Sequence, residues 1–355
     1  MTINKNLQQI ASLLEKFSLV SGISGYEKNV REILKKEIEP FSDSVRIDPM
    51  GNLIAEKKGG KPTIMIAAHM DEIGFVAKHI DDNGFIHFVT VGGFFDQTLL
   101  NQRVVVHGKK QDLIGVIGSK PPHIMKDEER KKIIEIDEMF IDIGAKNRKD
   151  AEKLGVEIGT PITVDRDFKI LANNLVTGKA FDNRAGLVIL IEAMRRLSKR
   201  KIKSSVCAVG TVQEEVGLKG ARTSAFGIDP DLAIAVDLTI AGDCPGIGKK
   251  ESEISIGKGA AITVLEAGGQ GAIVPEKIVE WLKNTAKKNK IKYQLEVSKG
   301  GMTDAAIIGL TKKGIPAGVV SVPSRYIHSP VELISLEDLE SAIKLIVAAV
   351  SKFPA

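Results

Sequence analysis

Cysteine is nearly missing from this 355-residue chain, which has only Cys207 and Cys244. Neither has a Cys-x-x-Cys partner, which argues against both a disulfide framework and a thiolate zinc site. Aromatic residues are also scarce, at 5%. They do not interleave with the basic runs at 126–132 and 195–203, so those runs read as solvated helix faces rather than a nucleic-acid platform. No apolar run reaches about 18 residues, so no membrane span is expected. The opening MTINKNLQQIASLLEKF lacks a basic stretch followed by an apolar one. No secretory leader is expected, and the location read from the sequence is the cytoplasm. The net charge of +5, from 50 basic and 45 acidic residues, is too modest to demand a polyanionic partner.

What is present is a globular composition, 43% apolar and 27% charged, in a chain long enough for two domains. The spacing predicts helices over roughly 6–20 and 26–39, then short strands. The run at 63–69, TIMIAAH, is continuously apolar, as a strand buried on both faces should be. Between 74 and 168 the texture changes to short strand-like runs separated by Gly and Asp turns, with one helical stretch at 147–155. Within it, 119–137 is polar, Pro-rich and charged, and reads as a mobile loop. From about 170 strands and helices alternate. The last helix, roughly 336–352, opens at Ser335 with Asp338 three residues on, a capping-box pattern. The expected architecture is an α/β/α sandwich made of 1–73 and 169–355, interrupted by a small β-barrel at 74–168.

Five acidic or imidazole positions share one topological address, at or just beyond the end of a predicted strand. That is where ligands bind in open α/β sheets. His69 follows the apolar run, with Asp71 placed to hold a ring nitrogen. Asp182 lies in GKAFDNRAG, where it or Asn183 also suits a helix N-cap. Glu214 and Glu215 follow a third apolar strand; pointing opposite ways, one can ligate while the other faces a water. Asp237 ends an apolar strand, where a charge is costly unless paired or ligated. His328 follows a strand and a Pro-Ser turn. Each has a plainer reading alone: a satisfied histidine, a cap, a solvated turn, a structural ion pair, a surface imidazole. Together, two histidines and three carboxylates make two mixed N/O sites, which suit Zn²⁺ or Co²⁺ better than Mg²⁺ or Ca²⁺. His79, His87, His107 and His123 lie in the 74–168 segment without such partners and read as non-ligands.

The stretches AAHMDEIG, GKAFDNRAG, VQEEVGLKGA, AVDLT and YIHSPVE resemble the M42 family of metallo-aminopeptidases, the tetrahedral or TET aminopeptidases, over nearly the whole chain. The resemblance implies the zinc-peptidase type of sandwich, two divalent metal ions per subunit, and Asp182 bridging them. His69 and Asp237 would complete one site, and Glu215 and His328 the other. Glu214 would be the general base and Asp71 the orienter. The inserted domain would be PDZ-like and drive assembly of dimers into a tetrahedral dodecamer. Short peptides would be the substrates, with no nucleic acid and no membrane involved. A pocket built from the loop at 298–306, with Gly301, Thr303 and Asp304, and from the 241–250 region is expected to take a neutral aliphatic first residue. The alternatives are an acidic or basic preference, a related two-metal deacylase, and a non-catalytic assembly protein. Glycoside hydrolysis is set aside, because it needs paired carboxylates rather than a histidine–carboxylate metal site.

Overall fold

The computed structural model describes residues 4–351 and 353. Residues 1–3, which begin the stretch read for a leader, and residue 352, at the end of the expected last helix, lie outside the described residues. The first helices run Lys5–Ser18 and Lys28–Ile38. Asn4 caps the first, accepting the Leu7 N–H at 2.9 Å.

The chain builds an 11-stranded mixed sheet and, beside it, a closed barrel of six short strands drawn from residues 74–164. At the centre of the sheet, the strand Gly60–His69 pairs in parallel with Ser204–Thr211 on one side and Leu232–Ile240 on the other. The last strand pairs in turn with Ala317–Arg325, also in parallel. The last six residues of Gly60–His69 and the first eight of Leu232–Ile240 are all buried. This is the signature of a strand covered on both faces, and it explains the continuous apolar run. Helices Lys5–Ser18, Lys28–Ile38, Phe181–Leu197 and Leu336–Ser351 pack on one another over the sheet, while Lys219–Ile228 and Asp304–Gly309 form a second group. Together they make the expected α/β/α sandwich.

The barrel has its own core, built on Phe75, Phe88, Val104, Ile141 and Ile162. Its strands are only partly buried, with Asp112–Ile117 mostly open to solvent. The 119–137 stretch carries a short helix, Asp127–Lys131, and single turns on either side. The capping box expected at the last helix is half formed. The Ser335 hydroxyl oxygen accepts the N–H groups of Glu337 and Asp338 at 3.1 and 3.4 Å. Asp338 does not reach back to close the box; its carboxylate accepts the Gly257 and Gly259 N–H groups at 2.6 and 2.7 Å. Tertiary donors outcompete the local one.

Candidate metal centre

Strand geometry delivers each of the five candidate residues to one place. His69 is the last residue of its strand, and Thr211, opposite it in register, ends the next. Two residues later Gln213 takes a positive φ of 55°, turning the chain so that Glu214 and Glu215 fold back over His69. On the other flank, pairing between Gly60–His69 and Leu232–Ile240 stops at Ala235. Asp237 therefore stands where its strand has left that neighbour, with its side chain free to face the gap. Asp182 follows the strand Leu175–Gly178, and its peptide bond to Asn183 is cis. Asn183 takes the capping role, accepting the Gly186 N–H at 2.9 Å. That leaves the Asp182 carboxylate unused by its helix.

The two Asp182 oxygens face opposite ways. Oδ1 lies 3.1 Å from His69 Nε2, and Oδ2 lies 3.4 Å from His328 Nε2. Asp237 Oδ1 is 3.8 Å from His69 Nε2, and Glu215 Oε2 is 3.5 Å from His328 Nε2. Ligand atoms of His69, Asp182 and Asp237 lie within 4.8 Å of one another, as do those of Asp182, Glu215 and His328. The same limit holds for His69, Glu214 and Glu215. Glu214 Oε2 stands 4.0 Å from His69 Nε2, at the edge of the first set.

The charges in this cluster are strained by burial. Burial and the nearby Asp182 carboxylate push Asp237 well above the usual carboxylate range. Burial raises Glu214 likewise, with Asp237, Asp304 and Glu215 adding to it, and lifts Glu215 to about 7. Hydrogen bonding to Asp182 carries His328 up to about 10 against the pull of burial. Burial works against a charged His69, but Glu214, Asp182, Asp71 and Asp237 hold its pKa well above normal. Protons are thus retained where more positive charge is wanted, and divalent cations would supply it. Two imidazole nitrogens and carboxylate oxygens at this spacing fit such ions.

The surrounding residues fix the ligands. Asp71 does more than orient His69. Its two oxygens accept the N–H groups of Glu214 and Glu215 at 3.1 and 3.2 Å, and Oδ2 also accepts the Ser24 hydroxyl at 2.6 Å. His69 Nδ1 is 3.1 Å from the Asp71 carbonyl and 3.5 Å from its carboxylate. His328 Nδ1 lies 3.0 Å from the Gly93 carbonyl, so the 74–168 segment reaches the site. Glycine is needed at the position before it, Gly92. A Cβ on Gly92, whose φ is +82°, would meet Ile73 at 2.5 Å and Glu215 at 3.4 Å.

Two supporting carboxylates escaped the sequence reading. Glu332, fully buried, accepts the Asp182 N–H at 2.9 Å. Its only signal was a charge opening an apolar strand. Glu27 accepts the Gln213 N–H at 3.0 Å, and nothing in its local sequence marks it. Of the expected pocket residues, Gly301 and Thr303 line a cavity of about 530 Å³ that opens from the ligand cluster. Asp304 does not line it. That side chain is buried behind the site, where Oδ2 accepts the Thr211 hydroxyl at 2.6 Å.

A profile of the M42 glutamyl aminopeptidase family matches residues 51–345. The chain belongs to the M42 peptidase family. An aminopeptidase from the archaeon Desulfurococcus kamchatkensis has the same fold, with a TM-score of 0.94 and 43% identity over 98% of this chain and 96% of its own. The Pyrococcus horikoshii TET1 peptidase, described as assembling into a tetrahedron or a large octahedral shell, has a TM-score of 0.88. It is 36% identical over 97% of this chain and 100% of its own. The lysyl aminopeptidase of Pyrococcus furiosus is 35% identical over 94% of each chain. This M42 chain is therefore an aminopeptidase, a hydrolase of a metal-dependent family, and the clusters above are its candidate ligands.

Proposed function

We propose that the chain removes the first residue of short peptides at a two-metal centre, and that Glu214 is its general base. Bound to the two ligand sets, Zn²⁺ or Co²⁺ would acidify a water and polarise the scissile carbonyl. The observation that carries this reading is Asp182, with one oxygen toward each histidine. His69 and Asp237 complete one set, and Glu215 and His328 the other.

Glu214 is buried beside the cluster but is not needed to complete either set. Its raised pKa suits a group that takes a proton from the attacking water and returns it to the leaving amine. Asp71 holds the Glu214 and Glu215 amides and so fixes the direction of both carboxylates. A free substrate N-terminus held at one of the two ligand sets would limit cleavage to a single residue.

Assembly of this chain into a tetrahedral or octahedral homo-oligomer follows the TET1 peptidase, and the barrel is the part we assign to the contacts. A cytoplasmic setting agrees with the unpaired Cys207 and Cys244. Among the described residues no helix is long and apolar enough to cross a membrane. Release of free amino acids from unblocked peptides, with none from the same peptides N-acetylated, is the expected result. Action on the acetylated peptides alone, releasing acetate, would favour the deacylase alternative.

A further inference from the structure

The cavity that opens from the ligand cluster has a second acidic end. Thr239 lies two residues beyond Asp237 on the same strand, so its side chain emerges on the same face, about 7 Å farther along. Its hydroxyl donates to Glu296 Oε1, and the Thr263 hydroxyl donates to Oε2 at 2.6 Å. Glu296 stands beside Thr263 in the pairing of strands Ala260–Leu265 and Tyr293–Val297. Nearby, Glu266 accepts the Thr303 hydroxyl at 2.8 Å and the Ala272 N–H at 3.0 Å. Both carboxylates are buried and both line the cavity.

Among the described residues, no Lys, Arg or His forms an ion pair with Glu266 or Glu296; the hydroxyls and amides that hold them are neutral. The charge acting on Glu296 is that of Glu266, which is of like sign, and it adds to burial in raising the Glu296 pKa. Buried carboxylates are ordinarily paired or ligated. A cation entering the cavity would supply the missing positive charge. An ionised carboxylate has about four acceptor sites, so Glu296 keeps capacity after taking two hydroxyls. Ile240, Met302 and Ile327, also in the lining, offer apolar surface along the way.

We propose that this cavity selects peptides whose first residue carries a long cationic side chain, lysine foremost, with Glu296 as the acceptor for its ammonium and Glu266 reinforcing the negative field. The inference rests on the aminopeptidase reading, which places the substrate N-terminus at the ligand cluster. Lysine carries its ammonium on a four-carbon apolar stem, for which Ile240, Met302 and Ile327 provide a matching wall. A leucine would displace water from the two carboxylates and offer no charge in return. The proposal takes the basic alternative rather than the aliphatic preference expected from sequence, and the carboxylates it rests on, Glu266 and Glu296, lie outside the loop at 298–306.

The test uses the full-length, metal-loaded protein and lysyl, norleucyl, leucyl and glutamyl p-nitroanilides. Norleucine has the lysine stem without the ammonium. The expected kcat/KM for the lysyl substrate exceeds that for the norleucyl one at least about tenfold, with the glutamyl substrate slowest. Glu296→Gln is expected to bring the lysyl-to-norleucyl ratio close to one, and Glu266→Gln to narrow it. In parallel, lysinamide should raise the melting temperature of the wild type more than norleucinamide does, and Glu296→Gln should erase that difference. Equal rates on lysyl and norleucyl substrates, or a wild-type ratio in both variants, would overturn the proposal. If no anilide were cleaved, the aminopeptidase reading would be at fault, and the two amides would still decide the side-chain preference. Should Glu296→Gln fail to fold, the Glu266→Gln ratio decides.

Discussion

His69 and His328 stand at the ends of sheet strands, whereas His79, His87 and His107 stand on the barrel. The sheet strands that end near His69 are buried on both faces, so a polar group at their tips leaves water and must find charge close by. The barrel strands are more open, and their histidines settle with ordinary neighbours. His79 and His87 lie ring against ring at 5.9 Å, and His107 bridges Asp112 and Thr163 at 2.8 and 2.9 Å. What differs is the company each keeps. His69 and His328 each face a buried carboxylate of Asp182 with a second carboxylate close by, whereas His107, although less exposed than His328 (20% against 41%), meets only the solvent-facing Asp112 and a hydroxyl.

The hardest test of that contrast is Asp182→Ala. It removes the one carboxylate that serves both ligand sets, so activity should fall by at least about 10³-fold. Metal content, read by mass spectrometry of the native protein, should fall with it. Retention of full metal and activity would mean that the sheet-end cluster is only structural. Glu214→Gln comes next and separates ligand from base. It should keep the metal and change KM little, while kcat drops about 10²–10⁴-fold. An unchanged kcat would remove Glu214 from the mechanism.

The two cores can be compared in the same way. Leu190 is fully buried in the sheet core, and Leu190→Ala should cost about 2–5 kcal/mol in a denaturant titration. Phe75 is fully buried in the barrel, stacked on Phe94 at 4.8 Å and edge-on to Phe88 at 5.0 Å. Phe75→Ala should cost about 3–5 kcal/mol. It should also lower activity, by about tenfold, because Phe94 follows Gly93, whose carbonyl holds His328. If Phe75→Ala lost stability but no activity, the barrel would be only a neighbour of the site.

This difference between the bodies also governs how much could be read from the chain. Long apolar strands announce themselves, and a charged residue at the end of one stands out. His69, Asp237 and the Glu214–Glu215 pair were legible for that reason. Asp182 was ambiguous because Asn183, the actual cap, sits beside it. His328 was weak alone because the carbonyl that fixes its ring lies 235 positions away in sequence, at Gly93. Glu27 and Glu332 reach the site through the Gln213 and Asp182 amides, brought near only by folding, which no local pattern encodes. Glu296 was hidden for the same reason: it matters because Thr239 and Thr263, on two other strands, converge on it. Sequence patterns report burial and period well. They do not report which distant donor meets which acceptor.

The smallest expected effect is the one that most directly checks the contrast between the histidines. His107 contacts Thr163 Oγ1 at 2.9 Å, and the same oxygen lies 2.9 Å from the Ser21 hydroxyl. His107→Ala therefore removes one partner of the buried Thr163 hydroxyl but leaves the other. A hydrogen bond lost with a partner remaining costs about 1 kcal/mol or less. The contact with Asp112, whose side chain is 67% exposed, adds little in water. His107→Ala should shift the denaturation midpoint slightly and leave kcat/KM within about twofold of wild type. His69→Ala, the same chemical change at the sheet end, should abolish activity. If the two variants behaved alike, the carboxylate cluster at the strand ends would not be what sets His69 apart from His107, and the ligand assignment would have to be rebuilt from the barrel outward.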